Sequence, residues 1–67
     1  MENRIKSERA QMQLSQEDLA KRLGVHPNTL QKWEKDMSHC PLAQAVSMAH
    51  IFGCSLEWLI GRAETRC

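Results

Sequence analysis

The sequence predicts an all-α fold, a compact single domain of five short helices, and three observations carry that reading. Apolar residues make up 42% of the chain, yet only Trp33, Phe52 and Trp58 are aromatic, so the interior is mostly Leu, Ile, Val, Ala and Met, and strand signals are scarce. Four turn-forming points, at Gln13-Leu14-Ser15, Gly24-Val25-His26-Pro27, Asp36 to Pro41 and Gly53-Cys54-Ser55, divide the chain into segments of helical length. Within those segments apolar residues return at three- and four-residue spacing. At 67 residues there is material for one core only, since a globule of this size buries about 60% of the surface that its unfolded chain exposes. Residues 1–61 are read as the domain and 62–67 as a short polar tail expected to fray.

The first helix, about 3–12, carries Ile5, Arg9 and Met12 on one stripe, which sets an arginine inside an apolar face. The second begins after Ser15, where Ser15 and Asp18 form an S-x-x-D pattern close to the capping box, and stops at Gly24, suited to a left-handed C-cap. Leu19, Ala20 and Leu23 are its inward face. The third opens with Pro27, accepted at a first helical position because its missing N–H has no intrahelical partner, and runs to about Lys35. Leu30, Trp33 and Glu34 share one side of it, with Asn28, Lys32 and Lys35 almost opposite. The fourth, about 41–52, is expected to bury Leu42, Ala45, Val46, Ala49 and Phe52 before Gly53 closes it; Met37 and Met48 are read as gap fillers. The fifth follows the N-cap Ser55 and runs to Ile60. Leu56, Trp58, Leu59 and Ile60 span more than half of its circumference, so apolar surface is left over. Leu56 and Ile60, one turn apart, and Trp58 are the candidate dimer contacts, against a reading in which they cap the core of a monomer.

Several classes of function are excluded by what the chain lacks. Cys40, Cys54 and Cys67 are an odd set without Cys-x-x-Cys spacing, which suits neither a disulfide framework nor a zinc module, so reduced thiols, no metal and no cofactor are expected. His26, His39 and His50 are scattered and have no nucleophile in a recognisable motif, which speaks against an enzyme. No apolar run approaches the roughly 18 residues of a membrane span, and the first ten residues alternate charged and polar, so a cytoplasmic protein is expected. Five short helices leave no room for an effector cavity of about 300 Å³. The net charge of +1 decides nothing about nucleic acid, and the placement of the charges has to.

That placement centres on Gln16 to Trp33: a capped helix, a small residue at Ala20, a glycine at Gly24, and a second helix whose first inward apolar residue is Leu30. Ala20 lets two helices approach, Gly24 takes the positive φ of a tight turn, and Val25 and Leu30 lock the second helix to the first. Such a pair is a helix-turn-helix, whose second helix enters a DNA major groove by its amino-terminal end.

The stretches Leu14-Ser15-Gln16-Glu17-Asp18-Leu19-Ala20, Leu23-Gly24-Val25, Lys32-Trp33-Glu34 and Phe52-Gly53-Cys54-Ser55-Leu56-Glu57-Trp58-Leu59-Ile60-Gly61 resemble, in order and spacing, the XRE-type family of phage repressors and Cro. The resemblance covers residues 3–61. It implies a five-helix lambda-repressor-like fold, binding to a near-palindromic double-stranded operator, and commonly a homodimer. Pro27, Asn28, Thr29 and Lys32 stand where the family faces base edges. Gln16, with Ser15, Gln31, Lys35 and Ser38, stands where it meets the DNA backbone. Asn pairs bidentately with adenine and Lys donates to guanine, each worth about 1–3 kcal/mol of discrimination. Arg9 and Glu34, charges set within apolar stripes, match an ion pair that joins the first helix to the recognition helix.

Departures from the family pattern are equally specific. Gln13 stands where Gly is frequent, His26 where Ser or Thr caps the recognition helix, and Pro27 where a base-donating side chain is common. Lys35-Asp36-Met37-Ser38-His39 replaces an Asn-Gly turn followed by basic residues. The low net charge and this thinned loop motivate a second reading, a protein-interaction module of antirepressor or antitoxin type that keeps the fold with weak DNA affinity.

Overall fold

Side chains start most of the helices. In the computed structural model, which describes residues 3–66, Ser15 Oγ accepts from the Asp18 N–H at 3.0 Å while Asp18 Oδ2 accepts from the Ser15 N–H at 3.2 Å, the complete capping box. Ser55 Oγ accepts from the Trp58 N–H at 3.1 Å, and His26 closes the third helix through Nδ1, which accepts from the Asn28 N–H at 3.0 Å. The elements are α1 (Ile5–Gln11), α2 (Gln16–Leu23), α3 (Pro27–Lys35), a 3-10 turn (Met37–His39), α4 (Leu42–Phe52) and α5 (Leu56–Leu59). No strand occurs among the described residues, and none of their helices is long and apolar enough to cross a membrane. Met1, Glu2 and Cys67, the last of the three thiols, lie outside the described residues; Cys40 and Cys54 are free.

One core serves all five helices. Ile5 from α1, Leu19 and Ala20 from α2, Leu30 and Trp33 from α3, Met37, then Ala45, Met48, Ala49 and Phe52 from α4 and Leu59 from α5 are all buried. Two expectations fail on α4: Leu42 is 69% and Val46 39% exposed. This helix is apolar nearly all round, so periodicity does not choose its inward stripe. The stripe built on Ala45, Met48, Ala49 and Phe52 faces the core, which leaves Leu42 and Val46 on the flank. Met12 is exposed as well, because α1 ends at Gln11 and the chain turns away through Gln13, whose φ of 57° makes it a non-glycine residue in the left-handed region.

The inward place one turn beyond Ile5 belongs to Glu8, whose side chain is 2% exposed. Its carboxylate accepts from Trp58 Nε1 at 2.9 Å and from Arg66 Nη2 at 2.7 Å. Arg66 also donates to the carbonyls of Phe52 and Gly53 at the end of α4, and its own carbonyl accepts from the Ser55 N–H at 2.8 Å. Arg4 lies 3.6 Å over the Trp58 ring and donates to the carbonyls of Trp58 and Ala63. Where fraying was the expectation, the described part of the tail, 62–66, is anchored through Arg66. It folds back as a strap because α1 offers it a buried anion and α4 offers it uncapped carbonyls. The bond from Arg66 holds the Glu8 carboxyl below the usual glutamate range, against the opposing effect of burial, with Trp58 adding to the depression.

Arg9 and Glu34 meet between α1 and α3. Arg9 Nε lies 3.3 Å from Glu34 Oε2, both side chains are largely buried, and Arg9 Nη1 donates to the Leu14 carbonyl at 3.0 Å. Asn3 reinforces the joint, since its Nδ2 donates to the carbonyls of Trp33 and Glu34, both at 3.1 Å.

Three outcomes follow from this packing. Glu34→Ala leaves Arg9 without its partner and should lower unfolding free energy by about 3 kcal/mol in urea titration. Gln13→Gly relieves a left-handed side-chain residue and should raise it by about 1 kcal/mol. Because the carboxyl of Glu8 binds its proton less readily folded than unfolded, its stabilising contribution is complete above the ordinary glutamate range and is lost as pH falls through the depressed folded value. Glu8→Gln should be destabilising at neutral pH and should flatten the acid side of the stability profile, read from thermal melts between about pH 2 and 7.

Candidate nucleic-acid interface

The helix-turn-helix is built from its underside. Ala20 is fully buried on α2, its carbonyl accepts from the Val25 N–H at 3.0 Å, and Gly24 holds a φ of 72° in the turn. Those contacts, with Leu30 and Trp33 below α3, leave the other side of the helix open. Asn28, Gln31, Lys32 and Lys35 are all exposed, and their i, i+3, i+4, i+7 spacing places them along a single face. Pro27 and Thr29 are partly buried at its margins. Among the four residues expected at base edges, Asn28 and Lys32 are thus exposed, and Gln31 joins them.

The residues assigned to the DNA backbone separate into two groups. Gln16 is half-buried in a cleft of about 370 Å³ that it shares with Gln31 and Lys35 of α3 and with Asn3 and Lys6 near the start of the chain. Ser15 is exposed, its oxygen accepting in the cap while its proton stays available to donate. Ser38 differs: its hydroxyl donates to Asp36 Oδ1 at 2.7 Å, its N–H does the same at 3.0 Å, and His39 Nε2 lies 3.7 Å from Asp36 Oδ2. Those two bonds from Ser38, side chain first, hold the Asp36 carboxyl below its ordinary value. The turn after α3 is closed around an anion, which places a like charge beside any phosphate approaching Ser38.

Sequence reasoning missed Lys6 and Asn3, and it missed the Glu8–Arg66 pair. For Glu8 a signal existed, since it stands three residues after the inward Ile5. For Lys6 the signal was only its position next to that same anchor, and for Asn3 none beyond its place before a helix.

The candidate dimer residues also divide. The indole N–H of Trp58 is taken by Glu8 and a face of its ring is covered by Arg4, so this side chain works inside the domain. Leu56 and Ile60 are half-buried against the core. Leu56 lines a groove of about 370 Å³ between α4 and α5 with Val46, Ala49, His50, Gly53 and Cys54. This groove, like the cleft at Gln16, is open at the surface rather than an enclosed effector cavity. Burial raises the Cys54 thiol and pushes that of Cys40 up to about 11, so neither is an activated nucleophile.

Comparison with known proteins agrees with this architecture. The helix-turn-helix family model matches residues 5–59. An uncharacterized HTH-type transcriptional regulator of Methanocaldococcus jannaschii is 42% identical over 57 residues, covering 85% of this chain and 86% of that protein. Another, from Archaeoglobus fulgidus, is 39% identical over 57 residues, covering 85% of this chain and 80% of its own length. No solved structure matches the chain. With a capped α2, a left-handed glycine turn, a two-faced α3 and a family match across all five helices, the chain belongs to the XRE-type helix-turn-helix family of DNA-binding transcriptional regulators.

Proposed function

We propose that this domain is a sequence-specific repressor that sets α3 into the major groove of a near-palindromic operator as a homodimer. A single observation carries the reading: Asn28 and Lys32 stand exposed on one side of a helix whose other side is held by Leu30, Trp33 and the Arg9–Glu34 pair. Asn28 offers an amide that pairs with adenine, and Lys32 a cation that donates to guanine O6 and N7. Pro27 and Thr29, at the margin, add apolar contact, for which a thymine methyl is the natural partner. Gln16, Gln31, Lys35 and the Ser15 hydroxyl hold phosphates and fix the register. Ser38 contributes least, since Asp36 occupies its proton.

Two copies related by a two-fold axis would place their α3 helices about 34 Å apart, one turn of B-DNA. The exposed Leu42 and Val46, with Leu56 across the groove, supply apolar surface for that contact. Ile60 stands one turn beyond Leu56. The chemistry of base reading calls for no cofactor and no small effector, and the site of action is the compartment that holds the DNA.

The turn closed around Asp36 favours the second reading, a protein-interaction module with reduced DNA affinity. Selection of bound sequences from a random duplex pool separates the two. A symmetric consensus supports the repressor, whereas no enrichment together with a stoichiometric protein partner supports the module. Within the first reading, Lys32→Ala should relax preference at one base position by about 1–3 kcal/mol. Lys35→Ala should instead weaken all duplexes evenly and reduce the salt slope by about one, both read by mobility-shift titration across salt concentrations.

A further inference from the structure

Two consecutive residues of α1 are tied to different parts of the molecule. Glu8 is buried, and its carboxylate accepts a fork of bonds from Arg66 of the tail, Nη2 at 2.7 Å and Nε at 3.1 and 3.3 Å from its two oxygens. Arg9, the next residue, is paired with Glu34 of α3, and that pair too is largely withdrawn from water. Neighbours on a helix point about 100° apart, so one side of α1 is held by the tail and another by α3. With 7 residues α1 is too short to be a stable helix alone, and its position is set by its tertiary contacts. Arg4 does not stand in for Arg66 at the carboxylate: its guanidinium lies over the Trp58 ring and donates to the carbonyls of Trp58 and Ala63.

We propose that Arg66 is a positioning residue for base reading: by neutralising Glu8 it fixes α1, and through Arg9 and Glu34 it fixes the seat of α3. The inference rests on the DNA-binding reading above and extends its determinants to a residue outside the helix-turn-helix. Without Arg66 the Glu8 carboxylate keeps the indole N–H of Trp58 but has no cation bonded to it among the described residues, in a place that does not tolerate a lone charge. To bring that carboxylate to water α1 has to turn or withdraw, and the guanidinium of Arg9 travels with it on the same turn. The Arg9–Glu34 pair is then stretched, and α3 loses the contact that sets its angle. Arg66 has a second, separable task, since it also donates to the carbonyls of Phe52 and Gly53 at the end of α4.

Variants of the full chain separate the two tasks, read by amide hydrogen exchange well below each melting temperature and by duplex binding. Arg66→Met removes both tasks. Arg66→Lys keeps a cation for Glu8 without the fork that also reaches α4. Glu8→Gln combined with Arg66→Met leaves no buried charge, while an amide oxygen still accepts from Trp58. Arg66→Met should speed exchange along Leu30–Lys35 of α3 as well as around 52–56, and should lower the preference for a selected duplex over a scrambled one by about 2- to 30-fold. Arg66→Lys and the double variant should loosen 52–56 alone and keep the wild-type preference. Should Arg66→Met not fold, Arg66→Gln, whose amide still donates to the carboxylate, should give the same pattern in milder form. Loosening confined to 52–56 in the uncharged single variant, or faster exchange in α3 of either of the other two, would overturn the assignment while leaving the DNA-binding reading intact. A wild-type chain with no preference among duplexes would overturn base reading itself.

Discussion

A guanidinium from α1 and a carboxylate from α3, both largely withdrawn from water, fix α3 against the first helix. Neither Arg9 nor Glu34 is tolerable alone in that environment, so the chain is committed to the one arrangement in which they meet. The same joint is held by the Asn3 amide on the carbonyls of Trp33 and Glu34, and by Leu30 and Trp33 packed beneath. Buried ion pairs add little net stability compared with apolar packing, but they punish misalignment severely. For the base-reading role proposed for α3, intolerance of misalignment is the useful property.

Local rules made much of this legible in the amino-acid sequence. Ser15 and Asp18 announced the start of α2, Gly24 and Gly53 the ends of α2 and α4, and Pro27 the opening of α3, because each depends on a backbone geometry that few residue types satisfy. The two faces of α3 could be read for the same reason: it mixes charged and apolar residues, so its period is visible. The strain at Gln13 was legible from its departure from a glycine position.

Where the signal was tertiary, reading along the chain failed. α4 is apolar on nearly every side, so nothing local distinguished Ala45 and Met48, which face the core, from Leu42 and Val46, which do not. Nothing local marks Glu8 as buried, because the group that neutralises it, Arg66, lies far along the chain. The tail reads as one that frays because what anchors it lies wholly in the groups that Arg66 touches. Trp58 looked available for a second subunit, yet its nitrogen and a face of its ring are engaged by Glu8 and Arg4.

The imidazole at the head of α3 stands at a cap position that hydroxyls commonly fill, and it is not chemically equivalent to one. Because Nδ1 receives the Asn28 amide proton, the neutral ring carries its own hydrogen on Nε2, on a side chain exposed at the start of α3. A serine there would close the helix and have little reach left over. Histidine completes the same turn with one nitrogen and leaves the other a ring's width farther out, so the residue that starts the helix also sets a hydrogen-bond donor on the surface beside Asn28.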